Sequence, residues 1–540
     1  MTGRLPRALL TLLTAVSLAF AVGGADQATA AGGPHRVTAP RPPLPRPVTP
    51  HGTLPNTVVP APVSRTANGQ TFTLTRTATL TSDDAGVGGY LAGILRASTG
   101  YPLPLASGSG GTIALRLSGA PATVGAEGYR LTTTSAGVEI RARQPAGLFH
   151  GVQTLLQLMP PRVMSATAHP GPWTVPGGTV LDYPRYAYRG ALLDVARHFF
   201  TVAQVEHYID EIALYKINYL HLHLTDDQGW RIAISSWPDL TAHGGSTEVG
   251  GGPGGYYTQA DYTAIVAYAA SRYITVVPEL DMPGHTNAAL SSYAQLNCDG
   301  VAPPPYTGVD GGFSSLCVGL PLTYTFLDQV IGELAALTPG PYLHIGGDEA
   351  SSTTAADYST FVDHVQQIVA AHGKTAVGYH DVTHATLLPS TVAEFWGTTT
   401  EDTSTAQAAA KGTKVIMSPA NRAYLDMKYN SGTKLGQDWA GLTDVNKAYG
   451  WNPGAYLKGV GESSVLGVEA SLWTETIVTP ADIDYMAFPR LPAVAELGWS
   501  PQSTHSVSAF HRRLGAQGPR WKAMGVAYYH STEVTWPSGS

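Results

Sequence analysis

The sequence predicts an α/β protein, a (β/α)8 TIM barrel preceded by a smaller α+β domain. Three observations lead there. From Tyr183 onward, short apolar runs alternate with helical stretches, and eight of those runs read as strands. The helical stretches keep one apolar side, as Val205, Tyr208, Ile209, Ile212 and Tyr215 do within 202–216. Polar residues gather at or beyond the C-terminal ends of the strands, the ends that a closed barrel collects on one face.

In chain order, residues 1–30 read as a secretory signal. Arg4 and Arg7 precede the apolar run Ala8 to Val22, and Ala28-Thr29-Ala30 offers a small-x-small cleavage site. A retained N-terminal anchor is the alternative; no other stretch is long and apolar enough to span a membrane. Residues 31–57 carry eight prolines between Pro34 and Pro55 and read as an extended linker. Residues 58–182 make the smaller domain. Alternation marks strands from Gln70, from Tyr129 and over Val138 to Arg141. Residues 88–95 and 146–159 look helical, the second with Leu148, Val152, Leu155, Leu156 and Met159 on one side. Nothing catalytic stands out in this domain, whose expected role is packing support. The barrel occupies 183–530, with strands at 188–194, 219–224, 273–280, 342–345, 376–379, 392–396, 415–417 and 465–472. Helices are expected at 202–216, 259–270, 322–337, 354–372 and 403–411, and residues 531–540 form a C-terminal tail.

Composition narrows the function. A chain of 540 residues exceeds one ordinary core. A net charge of −7 with 13% charged residues provides no basic surface for nucleic acid. Ten Trp and 27 Tyr supply flat faces for sugars, or simply core. Cys298 and Cys317, the two cysteines present, suit a disulfide closing a Gly- and Pro-rich loop of an exported chain. His221 and His223 share a strand face, but no third ligand is apparent nearby, so neither metal nor cofactor is expected.

The chain is organised around Pro341-Tyr-Leu-His-Ile-Gly-Gly-Asp348-Glu349-Ala350. A short buried strand runs into two glycines, which permit an unusual turn, and then into two carboxylates. Adjacent carboxylates in a pocket repel, which can raise one pKa enough to supply a general acid near neutral pH. Arg197, Asp226, Asp281, His285, Trp396, Asp426, Trp473 and Glu475 lie at or beyond other strand ends. Carboxylates, an arginine and tryptophans without a metal set suit glycoside chemistry. One acid protonates the leaving oxygen, and a second group stabilises positive charge at the sugar carbon. A serine esterase would need a Gly-x-Ser-x-Gly elbow, which the barrel region lacks. No P-loop or Gly-x-Gly-x-x-Gly follows a suitable strand.

His344-Ile-Gly-Gly-Asp348-Glu349 resembles the signature of family 20 glycoside hydrolases, the β-N-acetylhexosaminidases. Further similar stretches are Arg189 to Phe199, His221 to Arg231, Glu279 to His285, Ala423 to Asp426 and Glu469 to Glu475, in the family's order and spacing. The resemblance spans about 58–530 and is greatest to secreted actinobacterial members. It implies a secreted exo-enzyme that removes terminal GlcNAc or GalNAc from chitooligosaccharides or glycoconjugate glycans by a retaining, substrate-assisted route. It implies Glu349 as acid/base, Asp348 on the 2-acetamido N–H, and Tyr424 on the acetamido oxygen. Arg197, Asp426 and Glu475 would bind hydroxyls. Trp396, Trp439 and Trp473 would line the pocket, while Asp226, Asp281 and His285 tune the acid. Each has a plainer reading: His285 as a helix cap, Trp439 as loop packing, Trp396 and Trp473 as barrel-end core. Arg197, Tyr424, Asp426 and Glu475 could equally be solvated loop residues. One departure is Tyr379, where the family usually has Trp; an aromatic wall with a wider or differently tilted pocket is expected. Related activities, lacto-N-biosidase-like or specific for 6-sulfo-GlcNAc, and a catalytically silent glycan-binding protein are the alternatives.

Overall fold

The computed structural model describes residues 56–108 and 110–539. The signal segment and most of the proline-rich linker expected from sequence lie outside the described residues. Among the described residues, no helix is long and apolar enough to cross a membrane.

The smaller domain is a seven-stranded mixed sheet. Its long strands, Ser64–Leu74 and Trp173–Asp182, pair antiparallel at one edge. Helix Ala85–Thr99 is longer than its apolar pattern indicated. Asp84 caps its start by accepting from the Val87 N–H at 2.8 Å, and Gly100, at φ 66°, closes it. Helix Pro145–Leu158 has the expected apolar side, yet its polar side is buried too. That side faces the barrel: Gln157 Nε2 donates to the Leu214 carbonyl at 3.1 Å. Between the two layers, buried Asp182 accepts from Tyr129 Oη at 2.7 Å, Trp499 Nε1 at 3.0 Å and Lys216 Nζ at 3.1 Å. The domain is thus anchored to the barrel by hydrogen bonds that satisfy buried charge.

The barrel is closed and has eight parallel strands, as the alternation of runs indicated. In order they are Tyr188–Asp194, Tyr219–His223, Thr275–Glu279, Tyr342–His344, Thr375–Tyr379, Val392–Phe395, Lys414–Met417 and Val465–Leu472. The last pairs with the first, Gly467 opposite Tyr188, to close the ring. Tyr188, Val277, Val377, Val392 and Ile416 pack together in a buried cluster contributed by five different strands. Residues beyond 530 pack onto the barrel: Val534 is buried, and the Trp536 ring lies 5.1 Å from Tyr528 and 6.0 Å from Trp521.

Cys298 and Cys317 are joined, with their Cα atoms 5.0 Å apart. The bond staples the loop that enters helix Pro321–Leu337 and carries Val309 to Gly311. Closing a loop of this length is worth about 3 kcal/mol against the unfolded chain. Thiol titration of the unfolded, unreduced protein should find no free thiol; two would contradict the pairing.

Candidate active site

The central strand stops at His344, and the next residues abandon strand geometry. Gly346 and Gly347 have φ of 63° and 99°, and Glu349 has φ of 44°. A Cβ on Gly346 would stand 1.7 Å from Asp281 Oδ1, so only glycine permits this crossing. The turn sends its two carboxylates to different surroundings. Asp348 is half-buried, and its Oδ1 is shielded from solvent without a hydrogen-bond partner within the protein. The Glu349 side chain is 51% exposed, and its Oε2 lies 3.7 Å from His285 Nε2. Strand alternation therefore does not set their directions; the glycine turn does.

Both border a cavity of about 340 Å³ at the C-terminal face of the barrel. A cavity of about 710 Å³ beside the disulfide loop is larger, but Asp357 is its one charged lining residue. The smaller one gathers Arg197, Asp426 and Glu475 with three tryptophans and Tyr424. Trp439, 55% exposed, stands edge-on to Trp396 at 6.1 Å and to Tyr424 at 6.0 Å. Trp473 lies 6.0 Å from Tyr424 on the other side. The solvated reading of Arg197, Tyr424 and Asp426 is excluded, because all three are buried, and Glu475 is half-buried beside them. Around this one cavity Arg197 Nε, Asp348 Oδ1, Asp426 Oδ1, Trp473 Nε1 and Glu475 Oε2 make no hydrogen bond within the protein. Such groups are costly to bury unless something supplies their partners.

Arg197 is held by a residue to which the sequence reading assigned no role. Asp194 Oδ1, at the end of the first strand, accepts the backbone N–H groups of Ala196 (2.8 Å) and Arg197 (3.1 Å). Arg197 Nη2 then lies 2.8 Å from Asp226 Oδ2, and the guanidinium sits 5.0 Å above the Trp473 ring. Burial works against its charge, but Asp226, Asp194 and Glu475 outweigh burial and keep it protonated.

His285 is not a helix cap. Its Nδ1 lies 3.2 Å from Asp226 Oδ1, which places Nε2 toward Glu349. The barrel lumen continues this pattern downward. Asp226 Oδ2 lies 2.8 Å from His223 Nε2, His223 Nδ1 2.5 Å from Glu279 Oε2, Glu279 Oε2 3.0 Å from His221 Nε2, and His221 Nδ1 2.7 Å from Glu469 Oε1. His221 and His223 thus each stand between two carboxylates, an arrangement that favours their charged forms. Strand neighbours supply those partners, which is why local sequence showed none. Tyr379 also reaches this column. It is 1% exposed, its hydroxyl donates to Glu279 at 3.3 Å, and it does not border the cavity. Its ring packs in one cluster with Tyr424 and Trp473, 6.2 Å from the latter, so it backs the aromatic wall of the cavity.

Electrostatics divide the two carboxylates in an unforeseen way. Burial, with Asp381 and Glu349 nearby, pushes Asp348 up to about 7 even though His285 opposes it. Glu349 is held below the ordinary range by its contact with His285. The raised member of the pair is Asp348, because it is the less exposed of the two. The cavity's rim also includes Val309 to Gly311 and Gln437, contributed by loops with no strand-end signal. A Cβ on Gly311 would come within 2.9 Å of Glu349 Oε2.

Comparison with known proteins is unambiguous. The catalytic domain of glycosyl hydrolase family 20 matches residues 186–359 and 351–502, and domain 2 of that family matches 56–183. The chain belongs to glycosyl hydrolase family 20. A beta-N-acetylhexosaminidase of Cellulomonas fimi is 42% identical over 89% of this chain and 97% of its own. The GH20 beta-N-acetylhexosaminidase of Streptomyces coelicolor A3(2) superposes with a TM-score of 0.87 at 56% identity, covering 89% of this chain and 99% of its own. The Streptomyces plicatus N-acetyl-beta-hexosaminidase in complex with Thio-NAglucal gives 0.87 at 57% identity, covering 89% and 98%.

One lumen carboxylate has a measurable consequence. Burial and Glu469 push Glu394 up to about 7, and neither of its oxygens has a hydrogen-bond partner within the protein. A carboxyl raised in the folded state binds more protons there than when unfolded. Its stabilisation is present at low pH and lost as pH rises through the folded value. The window runs from the unfolded value of 4.5 to about 7, and the loss is about 3 kcal/mol. Glu394→Gln should therefore raise Tm at pH 8 more than at pH 5. An equal change at both would rule out a neutral Glu394.

Proposed function

We propose that this chain is an exo-acting β-N-acetylhexosaminidase that removes terminal β-linked GlcNAc or GalNAc by a retaining, substrate-assisted route. The unpaired polar atoms around one aromatic-walled cavity carry this reading. A pyranose fits such a volume, its hydroxyls pair with Arg197, Asp426 and Glu475, and its apolar face stacks on Trp473. A pocket of that size takes one sugar ring, in keeping with an exo mode.

In the reaction, the 2-acetamido oxygen attacks C1 while Glu349 gives its proton to the leaving oxygen. The glycosidic bond breaks and a cyclic oxazolinium forms. Asp348, its Oδ1 unpaired, accepts the acetamido N–H and offsets the charge, and Tyr424 holds the acetamido oxygen. Glu349, now a carboxylate, takes a proton from water as that water attacks C1. The sugar leaves with retained configuration and Glu349 regains its proton. A bound sugar would cover Glu349 and exclude water, which moves its pKa upward, as an acid requires. Asp226 and His285 aim it. Chitooligosaccharides and glycoconjugate ends fit as substrates. Export is supported by the basic–apolar–small pattern of residues 1–30 and the disulfide.

The test is release of p-nitrophenol from its β-GlcNAc glycoside. Hydrolysis that fails under all pH conditions, in a folded protein, would leave glycan binding alone as the function.

A further inference from the structure

His207, Glu211 and Asp484 come together outside the cavity, where helix Val202–Ala213 meets helix Pro480–Ala487. These helices follow the first and the last barrel strands. His207 and Glu211 are separated by one helical turn and project from the same side. Glu211 and Asp484 are buried, whereas the His207 side chain is 46% exposed, so the cluster is closed beneath and open to solvent at the imidazole. Neither Glu211 oxygen has a hydrogen-bond partner within the protein, nor does Asp484 Oδ1. Asp484 Oδ2 accepts the Ala527 N–H at 2.9 Å, which turns Oδ1 toward the cluster.

His207 Nε2 lies 3.2 Å from Glu211 Oε1, but the contact lacks hydrogen-bond geometry. Two neighbouring ligands on one ion, each bonded at about 2.1 Å, stand about this far apart. One donor atom of each residue lies within 4.8 Å of the other two. Two buried carboxylates side by side repel and lose hydration, so they call for a cation. A protonated His207 would serve Glu211 and leave Asp484 Oδ1 unmatched.

We propose that His207, Glu211 and Asp484 bind a divalent transition-metal ion, with zinc the best match. One imidazole nitrogen and two carboxylate oxygens, with water on the open side, complete a four-coordinate shell. The imidazole disfavours magnesium and calcium, which take oxygen ligands. The ion ties the first helix to the last across the seam where Val465–Leu472 pairs with Tyr188–Asp194. It is a structural latch, separate from the sugar-binding cavity.

The experiment uses untagged full chain, stripped with chelator and titrated with zinc chloride alone, followed by calorimetry and by Tm. The expected result is one equivalent bound per chain and a Tm increase that saturates. His207→Ala removes a half-exposed ligand without disturbing the core. It should weaken zinc binding by at least about 10-fold and lose the Tm increase, with glycoside hydrolysis unchanged. Zinc binding that is absent, or equal in the wild type and His207→Ala, overturns the proposal. So does a Glu211→Gln protein that is more stable than wild type in zinc as well as without it, since the two carboxylates would then share only a proton.

Discussion

Glu349→Gln should keep sugar affinity near normal and lower kcat by about 10²–10⁴-fold, the scale of lost general acid catalysis. Gln preserves the shape of the side chain but has no proton to give. His285, 3.7 Å from Glu349 Oε2 and itself 3.2 Å from Asp226, would still be positioned and would have nothing to position. The loss should depend on the leaving group. A nitrophenolate departs with little protonation, whereas a sugar alkoxide needs the full proton. The variant should therefore retain more activity on the aryl glycoside than on a chitooligosaccharide. Steady-state kinetics on both substrates decide the point, and equal losses would argue that Glu349 is not the acid.

The second large effect concerns the nucleophile. A β-glucoside with a plain 2-hydroxyl should be nearly inert, and a thiazoline analogue of the oxazolinium should bind far more tightly than the product sugar. An ordinary retaining enzyme places a carboxylate about 5 Å from its acid, across the scissile bond. The carboxylates nearest the acid are committed elsewhere. Asp226 is engaged by Arg197, His223 and His285. Asp281 is buried against the glycine turn and accepts the Gly347 N–H at 3.2 Å. Asp348 adjoins the acid in sequence and suits the acetamido N–H. Asp348→Asn should damage catalysis, because Asn cannot offset the positive charge on the ring nitrogen, while Glu349 keeps its proton to donate. Mass spectrometry after incubation with a 2-acetamido-5-fluoro glycoside is decisive. A covalent glycosyl adduct on Asp226, Asp281 or Asp348 would replace the substrate-assisted route with a carboxylate nucleophile.

Much of this was legible in the residues themselves. Periodic apolar runs located the barrel strands, because strand and helix patterns are local and repeat within a few residues. The Gly346-Gly347-Asp348-Glu349 run announced a turn bearing two carboxylates, and the positive φ of both glycines accords with it. What the sequence could not say was which carboxylate loses its water. That depends on Asp281 and Asp381, which arrive from other strand ends and crowd Asp348, while Glu349 turns outward to His285. The Tyr379 hydroxyl finds its partner, Glu279, on a non-adjacent strand. The lumen column, the Asp194 support of Arg197 and the rim from Val309 to Gly311 likewise join residues far apart in the chain. The chain alone therefore determined the elements and the chemistry at their ends. Burial, side-chain direction and charge pairing were decided only by barrel closure, because each is a property of neighbours that sequence distance does not encode.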